Sequence, residues 1–430
     1  MSQNLLISQF LEQSLAQNAQ SDVLSEEQFK STLENLHKNG FPTVKHEEWK
    51  YSNTKKLLNT PFDFNKDTKH ADIQLESLGL PNIGGEVLYF VNGVFVPELS
   101  SIKVKEGVKI LTTREARNSQ SHLFEYFSSK SDQYKKEAFL ALNALEDCDG
   151  YVITIDDNTS FDSPIIIRNI ADSRSVSPAM QFRNLIVVGD HTEVKIAETY
   201  RDLGENPSFT NVLTEVIMGA EAKVDYYKIQ DENDQAFHIG TTNVTQKDKS
   251  SFYAATVTIN GGFVRNNLNL ELNGEYIEDH MFGLYIPNKA QHIDNHTVAD
   301  HKKPNSVSNE LYKGVLMDES TGVFNGKIFV RQEAQKTNAY QNCRNVVLSD
   351  KAVMNTKPQL EIWADDVKCS HGATTGQLND EAIFYMQSRG IPKDEAVKLQ
   401  LVAFAEDVVS QIRMDEIRNY LEVLIHEKLA

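Results

Sequence analysis

Leu185-Ile186-Val187-Val188-Gly189, followed by Val194-Lys195-Ile196, has a counterpart in Glu215-Val216-Ile217-Met218-Gly219, followed by Val224-Asp225-Tyr226. Gly189 to Gly219 and Val194 to Val224 are both offsets of 30 residues. An apolar strand, a glycine turn and an alternating strand recurring at that period describe one coil of a β-solenoid. Looser echoes follow at Leu270 to Ile277, Val323 to Val330 and Val346 to Val353. The surrounding sequence, from Tyr151 to Ala373, is a succession of short β-rich runs such as Tyr151 to Ile155 and Ile165 to Ile167, without helical periodicity. The same signals also suit an antiparallel sandwich with glycine-containing hairpins.

Helical sequence lies on both sides of this region. Before it, Leu6, Phe10 and Leu15 fall on one helix face, and Ser25 with Gln28 makes a capping box ahead of Phe29, Leu33 and Leu36, with Gly40 and Pro42 as the stop. Phe41 to Ser52 is dense in polar and aromatic side chains, and reads equally as a docking loop or a packed turn. Val87 to Val91 and Val94 to Val96 around Asn92-Gly93 predict a β-hairpin, with polar helical sequence resuming to about Leu145. After the β region, Asn379 caps a short helix ended by Gly390. Val397, Leu401, Phe404, Val408 and Ile412 then form one apolar stripe, and Ile417, Leu421, Leu424 and Ile425 a second. Three regions result: 1–148, largely helical with the hairpin; 149–373, the β core; and 374–430, helical.

The chain of 430 residues carries 43 Lys and Arg against 61 Asp and Glu, a net charge of −18 that opposes broad contact with nucleic acid or an anionic membrane. Residues 1–20 lack a basic segment leading into an apolar run, and no stretch approaches a membrane span, so a cytoplasmic protein is expected. There is no GxxxxGK[ST], GxSxG or GxGxxG, which argues against ATP hydrolysis, an esterase elbow or a Rossmann site in this chain. The three cysteines, Cys148, Cys343 and Cys369, include no CxxC pair, so a four-thiolate cluster or structural zinc site from this chain alone is excluded.

Metal-binding groups concentrate in Trp363-Ala364-Asp365-Asp366-Val367-Lys368-Cys369-Ser370-His371-Gly372-Ala373-Thr374. On a strand, Cys369 and His371 share a face while Lys368 and Ser370 point the other way. A thiolate and an imidazole suit iron or zinc but supply only half a site; the rest would come from another chain or from sulfide. A buried cysteine beside a hydrogen-bonded histidine is the plainer reading. His296 and His301, five apart, fit neither a helical pair nor one strand face, and Cys148 and Cys343 have no second soft ligand in sequence.

At this segment the chain resembles the SufB/SufD family of iron–sulfur cluster assembly scaffold proteins. The likeness rests on Lys357 through Thr374, Phe384-Tyr385 and Ser388-Arg389-Gly390-Ile391, and upstream on Tyr312-Lys313-Gly314, Val323-Phe324-Asn325-Gly326-Lys327-Ile328, Ala334 to Gln341 and the Pro42 to Tyr51 loop. Lys-Cys-Ser-His-Gly-Ala-Thr is similar to the SufD branch, where the SufB branch typically has His-Glu-Ala-Thr. The resemblance implies a right-handed parallel β-helix, mainly β overall, that pairs with a SufB-like subunit and docks the ATPase SufC through its C-terminal helices. It also implies a nascent iron–sulfur cluster shared with SufB near Cys369 and His371, ATP only on SufC, and no catalysis by this chain. A homodimer in isolation and flavin binding are left open. Two other readings stand beside it: a SufB-like subunit that accepts sulfur itself, and a β-helix enzyme acting on polysaccharide.

Overall fold

The computed structural model describes residues 5–13, 21, 23–65, 73, 84–128, 130 and 136–429. Leu15 of the first expected helix face lies outside them. The β region is a parallel two-sided solenoid. Successive strands alternate between two ten-stranded sheets, so each coil adds one strand to each. The first sheet stacks Glu86–Val91, Ile165–Asp172, Glu193–Leu203, Lys223–Asp231, Ser251–Asn260, Glu278–Tyr285, Val307–Leu316, Asn338–Val347 and finally Lys368–Gly376. The second runs from Val108–Thr112 and Tyr151–Ile155 to Thr321–Val330, on which Val353–Thr356 and Gln359–Ile362 pair side by side. All pairing between Tyr151 and Gly376 is parallel, which removes the sandwich alternative.

The register explains the sequence repeat and its drift. Val194 pairs with Val224, an offset of 30, as the repeat predicts, but Ser251 pairs with Lys223 and Glu278, offsets of 28 and 27, and Asn338 with Val307 and Lys368, offsets of 31 and 30. Coils that gain or lose corner residues keep strand register and lose sequence register. Gly189 and Gly219 recur because coil corners stack backbone on backbone: a Cβ at Gly219 would lie 2.6 Å from the Asp190 nitrogen, and one at Gly189 2.5 Å from that of Asp157.

Three apolar layers hold the solenoid. Inward side chains fill the lumen, among them Ile186, Val216, Val224, Phe252, Leu270, Tyr285 and Tyr312. The outer face of the second sheet (Leu185, Phe209, Leu213, Phe237) is covered by N-terminal elements through Phe10, Trp49, Phe62, Phe139 and Leu142. The outer face of the first sheet (Ile166, Ala197, Tyr227, Tyr253, Val257) is covered by the C-terminal helices Lys393–Val409 and Asp415–Lys428. Strands buried on both faces read as near-continuous burial, as in Phe209–Met218, where only Ile217 is partly exposed. Coverage then fades along the stack: Asn338–Val347 alternates buried and exposed, and Lys368–Gly376 has no fully buried residue.

The flanking regions match their sequence signals in part. The Ser25/Gln28 capping box and the Gly40 stop are present on helix Glu26–Asn39, and Asn92-Gly93 turns the hairpin with φ of 47° and 79°. The polar segment read as helical before Leu145 contains a strand instead at Val108–Thr112, antiparallel to Tyr151–Ile155, which starts the second sheet. Its alternating Val108, Ile110 and Thr112 are buried, a period of two within five residues that helix-like neighbours obscure. Among the described residues, no helix is long and apolar enough to cross a membrane.

The lumen also carries polar side chains. Asp279, fully buried, accepts from Gln246 at 2.8 Å and from the Phe252 N–H at 3.1 Å; burial outweighs both and pushes its carboxyl up to about 7. A carboxyl raised on folding stabilises the native state fully only below its unfolded value, and that contribution is lost as pH rises from about 4 towards 7. Asp279→Asn is therefore expected to flatten the pH dependence of stability in that window, by up to about 1.4 kcal/mol per pH unit. Urea melts at pH 5 and pH 8 check this, and an unchanged slope would show that Asp279 is ionised in the fold.

Candidate functional site

Lys368–Gly376 ends the first sheet, and no strand among the described residues pairs with its far edge. Its register sets the direction of its side chains. Cys369 stands beside Ala339, His371 beside Gln341 and Ala373 beside Cys343, and Ala339, Gln341 and Cys343 are buried inward residues of the preceding coil. Cys369 and His371 therefore occupy the lumen row, on the one face expected of them, at the open end of the solenoid. Cys369 is half-buried against the lumen core and His371 is exposed. Partial burial raises the Cys369 thiol pKa, with the Ala339 backbone N–H opposing it. The thiol is thus not an activated nucleophile, and a soft metal would have to displace its proton.

Among the described residues, no group of three or more His, Cys, Asp or Glu could hold a metal ion. Two ligands at an open end remain half a site. Around them the end of the solenoid is apolar and uncovered: Trp363 is 52% exposed, with Val353, Ile362 and Tyr340 also exposed. Trp363 stacks on Phe329 at 6.3 Å and under Arg331 at 5.0 Å, which fixes its indole while leaving a face to solvent.

The other candidates are dispersed. His296 and His301 lie on opposite faces: His296 points outward, 3.0 Å from Asp294, while His301 is buried in the lumen against Ser308 at 2.9 Å. Cys343 is fully buried, contacts Asn345 at 3.3 Å, and burial pushes its thiol up to about 12. Cys148 is buried below helix Ala138–Leu145, donating to the Asn143 carbonyl at 3.3 Å.

The Phe41 to Ser52 segment is partly a packed turn. Trp49 is buried with Arg265 over its ring at 4.4 Å, and Ser52 is buried between His292 at 2.8 Å and Asp294 at 2.5 Å. Arg265 pairs with Asp294 at 2.7 Å; burial pushes the Asp294 carboxyl up, but Arg265 and His296 outweigh it and hold it well below the usual range. The His296 hydrogen bond, together with Lys327, brings Glu48 down to about 2. This latch was not anticipated. Its signal is His292-Ile293-Asp294-Asn295-His296, in which His292, Asp294 and His296 recur at a period of two and so share one strand face.

The apolar stripes of the C-terminal helices are not free surfaces. Leu401, Val408, Ile412, Ile417 and Leu421 are buried on the first sheet. Lys313 of Tyr312-Lys313-Gly314 pins them by its ion pair with Asp407 and a 2.9 Å bond to the Phe404 carbonyl, while Tyr312 points into the lumen. What the helical end does expose is Phe384, at 73%, and Tyr385, at 59%, on helix Asp380–Ser388.

Residues 2–167 match the family model for the SufBD protein N-terminal region, and residues 169–404 match that for SUF system FeS cluster assembly, SufBD core domain. The chain belongs to the SufBD family. Several curated relatives match most of its length. It is 32% identical to an iron–sulfur cluster assembly SufBD family protein of Synechocystis, over 88% of this chain and 86% of the relative. It is 28% identical to the iron–sulfur cluster assembly protein SufD of Escherichia coli, over 92% and 91%, and 26% identical to SufD of Bacillus subtilis, over 75% and 74%. In SufBD terms, Cys369, His371 and the open solenoid end fall within the matched core domain.

Proposed function

We propose that this chain is a non-catalytic scaffold subunit of a complex that assembles iron–sulfur clusters, with Cys369 and His371 helping to hold the nascent cluster. The carrying observation is that both soft ligands sit in the lumen row of an unpaired terminal strand, so a second chain is needed to complete coordination. The partner with the right shape is another β-helix of the same family, SufB-like, meeting the free edge of Lys368–Gly376 and the exposed Trp363 and Tyr340. In isolation the same edge would take a second copy of this chain. The cluster is cargo: this chain holds and orients it, and iron, sulfur and electrons arrive from elsewhere. Three free cysteines and the absence of a phosphate loop fit work in a reducing cytoplasm, with ATP on a separate SufC-like ATPase.

The ATPase docks on the outward face of the C-terminal helices, around Phe384 and Tyr385. Two exposed adjacent aromatics are what an interface anchor supplies, and the buried stripes cannot serve. ATP-driven closure of two such ATPases would pull on the paired β-helices and open the interface at His371. Co-expression with both partners tests the reading: the wild-type chain should retain both, and the Phe384→Ala/Tyr385→Ala variant should keep the β-helix partner while losing the ATPase by at least tenfold. Retention of the ATPase would remove the docking face, and failure to retain the β-helix partner would remove the scaffold reading.

A further inference from the structure

The lumen row leading to His371 is polar, and it is built. Gln341, 1% exposed, lies one strand before His371 in the same row and donates from Nε2 to Glu310 Oε2 at 2.8 Å. Glu310 is itself buried on the preceding strand. Gly326 on the facing sheet leaves the space that the amide fills: a Cβ there would lie 2.2 Å from Gln341 Nε2. The amide is thus gripped by its nitrogen and confined from across the lumen. Its other atom, Oε1, is buried and without a hydrogen-bond partner.

Buried acceptors without partners are rare and call for an explanation. Neighbouring strands lie about 4.8 Å apart, so residues stacked in one row are within side-chain reach of each other. We propose that Gln341 is the positioning residue of the His371 site: its Oε1 accepts from one ring N–H of His371, which fixes the tautomer and turns the other nitrogen's lone pair out of the open end. Glu310 sets the direction of the amide. Burial pushes the Glu310 carboxyl up to about 7, so above that pH it is a carboxylate that only accepts, takes the Gln341 NH2 and leaves the carbonyl for the imidazole. A metal-bound imidazole commonly has its second nitrogen held in this way. The ligand role of His371 comes from the proposed function; the tautomer does not depend on it.

The test uses the full chain with 15N-labelled histidine. In the wild type at pH 8, where Glu310 is ionised, His371 should show one tautomer in about tenfold excess, the bias a single net hydrogen bond supports. Gln341→Met should abolish it. If that variant fails to fold because Glu310 is left without its amide, Glu310→Met/Gln341→Met removes the acid as well and should give the same loss. An unchanged tautomer ratio in the folded methionine variant would overturn the proposal. Iron loading of the assembled complex is measured in parallel and should fall about tenfold. A lost tautomer bias with undiminished iron would uphold the positioning of His371 and overturn its role as a ligand.

Discussion

Ending the chain at Gly390 is expected to destroy the fold and not merely to remove a docking domain. Leu401, Val408, Ile412, Ile417 and Leu421 are at most 3% exposed, packed on the outer face of the first sheet. At about 2 kcal/mol per buried aliphatic side chain, these five alone contribute on the order of 10 kcal/mol, comparable with the whole stability of a typical domain. Polar anchors go with them. Tyr253 loses its bond to the Gln411 carbonyl at 2.7 Å and the Arg413 guanidinium over its ring at 3.6 Å, and Asp225 loses its ion pair with Arg413 at 3.1 Å. Lys313, with a side chain only 2% exposed, loses Asp407, which neutralises it across the interface. The truncated chain should be recovered mainly as aggregate, with any soluble fraction binding a hydrophobic dye and melting far below the full chain. A monodisperse truncated chain melting within a few degrees of the intact one would show that these helices are an appendage. The truncation therefore cannot serve as a test of ATPase binding.

The same helices show where sequence reading succeeds and where it stops. Their existence and their stripes were legible, as was the Asn379 cap of the short helix before them, because capping and a 3.6-residue period are local. Which surface the stripes cover is a tertiary fact that periodicity does not carry, and here it is the first sheet. The solenoid was legible from one clean pair of coils, where the corners have equal length; coils of 27 to 31 residues elsewhere hid the rest. Tyr312-Lys313-Gly314 could be recognised as a motif but not explained. Only the fold shows Tyr312 inside the lumen, Lys313 outside against Asp407, and Gly314 where a Cβ would lie 2.4 Å from the Tyr285 ring. The shared face of Cys369 and His371 followed from strand alternation alone. That this face is the lumen, one strand above Gln341 and two above Glu310, required register.

Replacing His371 should separate function from stability. The side chain is exposed on a terminal strand, and surface substitutions of this kind usually change stability by no more than about 0.5 kcal/mol. His371→Ala is accordingly expected to cost no more than its one hydrogen bond to Gln341, about 1 kcal/mol, a shift of a few degrees in Tm. If the imidazole is one of only two ligands this chain offers, its loss should lower cluster accumulation on the complex by more than the roughly 10–100-fold that loss of an outer-shell partner costs at a metal site. Cys369→Ser should lower it as well, because a hydroxyl replaces the thiolate that suits iron. The measurement is cluster absorbance on the reconstituted complex, with thermal melts of each variant and Lys368→Ala, on the opposite strand face, as the control. Loss of several kcal/mol by His371→Ala would identify a structural histidine. Undiminished cluster loading by a fully folded variant would leave the terminal strand as a pairing edge only, with coordination supplied entirely by the partner.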